Sequence, residues 1–199
     1  MKAWHGSRRV FLCACVAFAA GCASTPPSHF YTLSAAAAPA AAPSSLTVAV
    51  GPVSIPAVVD RPEIVVTIGE NEVWLDEFNR WASPLQDGIA TLVAENLVAL
   101  LGTPRVTLYA QTAVGDADYR VAIEVQRFES EPGKSALLDA VWSVRRVKDA
   151  AVVTGRATAR ENLSDRGYDA LAAAHSRLVT RLSGDIADAI RKLASSPAR

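Results

Sequence analysis

Asp118-Tyr119-Arg120-Val121-Ala122-Ile123-Glu124-Val125-Gln126 alternates with a period of two. Tyr119, Val121, Ile123 and Val125 share one face, while Arg120, Glu124 and Gln126 share the other. Successive side chains of a strand point to opposite faces, so the pattern predicts an antiparallel sheet with one face on a core and one in water. Residues 137–147 and 152–163 continue it as a meander that turns at Lys148-Asp149. The period then changes. Leu171, His175, Leu178, Leu182, Ile186, Ile190 and Leu193 recur at helical spacing, which predicts a long amphipathic helix over residues 168–193.

Upstream, Leu46, Val48 and Val50 alternate as a first strand. Residues 64–68 and 72–78 are β-prone, and Gly69-Glu70-Asn71 between them reads as a hairpin turn. A second helix follows, with Ser83 as its cap, Pro84 in the first helical position and Gln86 completing a capping box. Ile89, Leu92, Val93, Leu97, Leu100 and Leu101 form its apolar stripe, and Gly102 and Pro104 end it. Residues 105–109 form a short strand. Strand runs with one inserted and one terminal helix read as α+β: a mostly antiparallel sheet with two amphipathic helices packed on one face.

The N-terminus carries an address. Lys2, Arg8 and Arg9 precede an apolar run over residues 10–20, too short to span a bilayer, which needs about twenty residues. Ala19-Ala20-Gly21-Cys22 resembles the lipobox cut by lipoprotein signal peptidase, with Ala19 in place of the usual Leu. The expected organisation is a signal peptide over 1–21, a lipidated Cys22 opening a flexible Ala/Pro/Ser tether over 22–45, and one periplasmic domain over 46–194. With Ala23 rather than Asp after the Cys, the resemblance to lipoprotein signals implies the outer rather than the inner membrane. Arg8-Arg9 before the apolar run also looks like a twin-arginine export motif, although such pairs arise in ordinary signals too. Fully extended, the tether would reach on the order of 75 Å. Phe30-Tyr31-Thr32-Leu33 interrupts it as a β-prone island able to dock on the domain or on a partner.

Little in the domain suggests chemistry. The three cysteines, at 13, 15 and 22, leave nothing downstream for a disulfide or a thiolate metal site. From Cys22 onward 17 basic residues face 20 acidic ones, and no basic patch supports nucleic-acid binding. No nucleophile elbow, phosphate loop, metalloprotease helix or dinucleotide fingerprint occurs. Glu70 with Glu72, and Asp116 with Asp118, sit in turn-like segments and read as solvated. His175, on the apolar seam, reads as a core histidine bonded to a backbone group. Neither a metal nor a cofactor is expected beyond the covalent lipid on Cys22.

Two regions are apolar beyond what a surface requires. Trp74 and Phe78 point to one face of their strand, opposite Val73 and Leu75, and Trp81 follows; such a strand is covered on both faces or half exposed for a partner. The second region is residues 52–62. Pro52, Pro56 and Pro62 remove three backbone donors, which excludes an interior strand, yet the segment carries Val53, Ile55, Val58 and Val59. Those side chains either plug the core or form a stiff contact surface for a second copy or another protein.

Gly51-Pro52-Val53-Ser54-Ile55-Pro56, Asp60-Arg61-Pro62-Glu63-Ile64-Val65 and Phe78-Asn79-Arg80-Trp81-Ala82-Ser83-Pro84-Leu85 resemble the ABC-type transport auxiliary lipoproteins, the PqiC/YmbA-like family. Tyr31-Thr32-Leu33 and Asp118-Tyr119-Arg120-Val121 fit the same pattern. The resemblance implies a non-enzymatic lipoprotein on the inner leaflet of the outer membrane. It would serve an MCE-domain protein and its ABC transporter or integral-membrane partner in lipid transport that keeps the envelope intact. Cys22 would anchor it. Pro52, Ile55, Pro56, Val58, Val59, Asp60, Arg61, Pro62, Trp74, Phe78 and Trp81 are the candidate contact residues, with a homo-oligomer possible. An envelope-assembly or cell-wall regulator, and a periplasmic hydrolase built around His175, are the alternatives.

Overall fold

A computed structural model describes residues 26–35, 41–109 and 117–197. Cys22, the signal segment and Asp116 lie outside the described residues. The elements run β1 (His29–Tyr31), β2 (Val48–Ser54), β3 (Glu63–Gly69), β4 (Glu72–Trp81), α1 (Leu85–Leu101), β5 (Val106–Leu108), β6 (Tyr119–Glu131), β7 (Ser135–Arg146), β8 (Val152–Asn162) and α2 (Tyr168–Ser195). The fold is α+β, as the two periodicities predict.

The strands form two sheets. One has the order β5-β2-β6-β7-β8, the other β1-β4-β3. The long ladders β3–β4, β6–β7 and β7–β8 are antiparallel, while β2 runs parallel to both its neighbours and β1 parallel to β4. Both helices lie on the larger sheet: α1 against β2 and β5, α2 against β6, β7 and β8, and each against the other. All seven predicted seam residues of α2 are buried. At roughly 1.5–3 kcal/mol for each large aliphatic side chain removed from water, this seam is a principal source of stability. Between the helices the contact is also polar, since the buried Asn96 amide donates to Ser183 Oγ at 3.2 Å and to Thr180 Oγ1 at 3.3 Å.

Three sequence expectations need correction. Pro52 lies within β2, an interior strand. The sheet accommodates it at a bulge, where the register to β6 slips between Val50 and Val53 and no ladder bond is required of the proline. Beside it Gly51 has φ 126°, and a Cβ there would lie 2.9 Å from Tyr109 Cβ, so β5 closes against bare backbone. The start of α1 is shifted by one residue: Pro84 is the N-cap, with no side-chain cap bond, so the Ser83–Gln86 capping box does not form. Its end is as expected, with Gly102 left-handed at φ 63°.

The third correction concerns the tether. β1 pairs with residues 79–81 of β4, and Leu33 packs on the core. Ser34 N–H donates to Ser176 Oγ at 3.1 Å. Farther on, Ala41 N–H donates to Ala99 O at 3.0 Å and Ser44 N–H to Gly102 O at 2.8 Å, laying that stretch over the end of α1. These parts of the expected linker are fastened to the domain. At the opposite terminus Arg146 pairs with Asp149 at 2.6 Å and donates to the carbonyls of Leu193, Ser196 (2.9 Å) and Pro197 (3.2 Å), fixing the end of α2.

Candidate interaction surface

The loop from Ser54 to Glu63 divides its apolar side chains between the two readings. Val59 is 7% exposed and belongs to the core, whereas its neighbour Val58 is 49% exposed. Ile55 packs partly on the core, Pro56 is half-buried, and Pro52, Asp60 and Pro62 are exposed. Arg61 is half-buried. Backbone bonds brace the loop: Val59 N–H to Pro56 O at 3.0 Å, Arg61 N–H to Val59 O at 2.9 Å, and Trp81 N–H to Pro62 O at 2.8 Å. Val59 is therefore a structural plug and Val58 the side chain it presents. Pro52 also borders an open groove of about 510 Å³, walled by Gln86, Asp87, Ala90 and Thr91 of α1 and by Leu108 and Tyr109.

The β3–β4 hairpin shows a gradient along its length. Ile64, Val65 and Val66 are buried where β3 starts, but Ile68, Val73, Trp74 and Leu75 near the turn are exposed, so both faces of the tip meet solvent. Trp74 is 60% exposed, Phe78 half-buried and Trp81 only 6% exposed. Trp81 is thus withdrawn from the contact residues. Its ring meets Phe128 and His175 edge-on, with centroids at 6.1 and 6.4 Å.

His175 closes this aromatic cluster. It is fully buried and stacks on Phe128 at 3.9 Å with 12° between the planes. Its Nε2 bonds the Ser130 hydroxyl at 2.8 Å, so the partner is a side chain rather than the expected backbone group. Nδ1 has no hydrogen-bond partner. Burial pushes the imidazole pKa down to about 3, and the ring is neutral at physiological pH. A Ser–His pair could in principle be a nucleophile and its base, but both members are buried here and no carboxylate orients Nδ1. Among the described residues no group of three metal-ligating side chains assembles either.

A polar network that the sequence reading missed seats β1. Tyr168 donates to Asp76 Oδ2 at 2.6 Å, Tyr31 donates to Asn79 Oδ1 at 2.8 Å, and the two tyrosine rings lie 6.0 Å apart. Asp76 Oδ1 accepts the N–H groups of Phe78 and Asn79, both at 3.0 Å. Burial pushes the Asp76 carboxyl up, but the bonds from Tyr168, Asn79 and the two backbone amides outweigh it and hold its pKa below the usual value. The Tyr168 hydroxyl is pushed up by burial and by Asp76. The one available signal was an acid inside a β-prone run, at Asp76.

The protruding hairpin, the braced proline loop and the docked N-terminal strand sit on one compact scaffold. Residues 31–187 match the family model of the ABC-type transport auxiliary lipoprotein component. The chain belongs to this family. Such a lipoprotein component is expected at a membrane on its periplasmic side. Similar folds occur in a crystal structure of an uncharacterized protein (TM-score 0.69, 17% identity, covering 83% of this chain and 99% of that one). They occur also in a Xanthomonas campestris protein of family DUF330 (TM-score 0.67, 22% identity, 80% and 93%). A PelC dodecamer from Paraburkholderia phytofirmans is more distant, at TM-score 0.43 and 18% identity over 73% and 89%. Among curated protein sequences none matches.

Proposed function

We propose that this auxiliary lipoprotein is a non-enzymatic periplasmic component of an MCE/ABC-type lipid transport system, anchored in the outer membrane by lipid on Cys22. The observation that carries the reading is the contrast between its inside and its outside. The buried Ser130–His175 pair is sealed from substrate, while apolar side chains such as Val58 stand exposed on a loop fixed from within. Docking a chain already held in place loses little entropy, which suits a surface whose task is association. An MCE-domain protein or its membrane partner would be the ligand of the Pro52–Pro62 side, and a second copy of the chain could share it. No cofactor is needed for such a role.

Labelling with a palmitate analogue tests the anchor: Cys22→Ser should remain an uncleaved, unlabelled precursor. Equal labelling in both would end the lipoprotein assignment of Cys22. Co-purification tests the partner. Wild type should retain an MCE-domain protein from solubilised membranes and Val58→Asp should lose it; retention of no such protein by the wild type would overturn the proposal.

A further inference from the structure

We propose that the β3–β4 hairpin tip rests in the surface of the bilayer that carries the lipid anchor, and so fixes which way the domain faces. The inference rests on the reading of Cys22 as the lipidated residue. Its physical basis is the direction of β1. A strand parallel to β4 is entered from the end at which β4 begins, which is the hairpin end. His29 pairs with Asn79, so the preceding chain arrives from the side of Trp74, not from the side of Trp81.

Length makes the same point. Seven residue steps separate Cys22 from His29, a reach of at most about 25 Å. Five steps along β4 separate Asn79 from Trp74, roughly 17 Å at the usual strand rise. The reach from His29 is thus longer than the distance from Asn79 to the tip, and an anchor at Cys22 leaves the lipid surface within the hairpin's reach. What the tip presents is Ile68, Val73, Trp74 and Leu75, exposed on both faces. Tryptophan among aliphatic side chains is the composition that settles at the boundary of headgroups and acyl chains.

Charge decides the kind of lipid. The neighbouring cations have acidic partners: Arg127 pairs with Glu129 at 2.7 Å, and Lys134 and Arg160 share Glu131 at 2.7 and 3.3 Å. Glu70 and Glu72 at the turn add negative charge. Among the described residues around the tip, Arg127, Lys134 and Arg160 are offset by Glu129, Glu131, Glu70 and Glu72, so the surface it suits is a zwitterionic leaflet entered by apolar side chains.

The test uses the mature, acylated protein reconstituted into phosphatidylethanolamine–phosphatidylcholine vesicles containing phospholipids brominated on their acyl chains. Trp74 is one of three tryptophans after Cys22, and Trp81 and Trp142 are buried, so bromine should remove up to roughly a third of the emission. Trp74→Phe should abolish that loss. Mass spectrometry of the same sample reports the acyl group. An acylated, vesicle-bound protein without quenching overturns the inference and leaves the anchor standing; quenching that persists in Trp74→Phe overturns it as well. A chain without the acyl group overturns both. Emission that shifts to the blue with protein concentration and is not quenched by brominated lipid would assign the hairpin to a second copy and overturn the inference.

Discussion

The two ends of the small sheet carry similar side chains to opposite effect. At the proline end, Val59 is buried beneath a loop braced by three backbone hydrogen bonds, and one exposed neighbour, Val58, stands on that brace. At the hairpin end, Ile68, Val73, Trp74 and Leu75 have left the core together. Apolar residues in a connecting segment thus say little by themselves about binding. What separates the cases is how far the backbone beneath them is tied to the body of the fold.

The largest expected effect breaks the proline end. Val59→Asp places an unpaired carboxylate in the core and should destabilise by about 3 kcal/mol or more. For a domain of this size that lowers the melting temperature by roughly 10 °C. A variant melting with the wild type would remove Val59 from the core.

Acid titration comes next. His175 takes up a proton near pH 6.5 when unfolded and near pH 3 when folded, so stability falls as pH drops between these values. The slope approaches about 1.4 kcal/mol per pH unit. His175→Leu should retain the fold and flatten that part of a melting-temperature profile; an unchanged profile would show that the ring is not buried neutral. Asp76 acts in a lower window. Its folded pKa is depressed, so its contribution is present above the unfolded value of about 3.8 and is lost as pH falls through the folded value. Tyr168→Phe removes a bond to that carboxylate and should cost about 1–2 kcal/mol at neutral pH. Most of the difference from wild type should vanish at the acid end, and a difference that persists there would point to packing rather than the hydrogen bond.

The smallest effects on stability belong to the exposed pair. Val58→Asp and Trp74→Phe should each change unfolding free energy by no more than about 0.5 kcal/mol. A chemical denaturation midpoint well outside that range would mean that the side chain is structural, and the contrast between the two ends would disappear.

Much of the architecture was legible because it is local. The seam of α2, the alternation of β6 and the left-handed Gly102 follow from periodicity and backbone preference at single positions. What escaped was set by contacts between distant segments. Nothing in the residues of β2 says that both of its neighbours run parallel to it, and Pro52 could enter an interior strand only because β6 slips register there. Ser130 lies 45 residues from His175, and Tyr168 lies 92 from Asp76. At the candidate surface the sequence could not separate Val58 from Val59, or Trp74 from Trp81. Adjacent or alternating positions take their burial from whatever packs above them.

α2 follows in sequence all the strands that it covers, and this order has a consequence for how the protein comes into being. Its seam covers the face of β6, β7 and β8, and Arg146 holds its last carbonyls. A ribosome delivers that helix only after those strands, so a nascent or partly translocated copy passes through a stage in which the β-strands are complete and their apolar face is uncovered. Such surfaces recruit chaperones and proteases and invite aggregation. Loss of the final turns, even where the sheet is intact, should therefore reduce the amount of protein in the envelope before it alters any property of the molecules that remain.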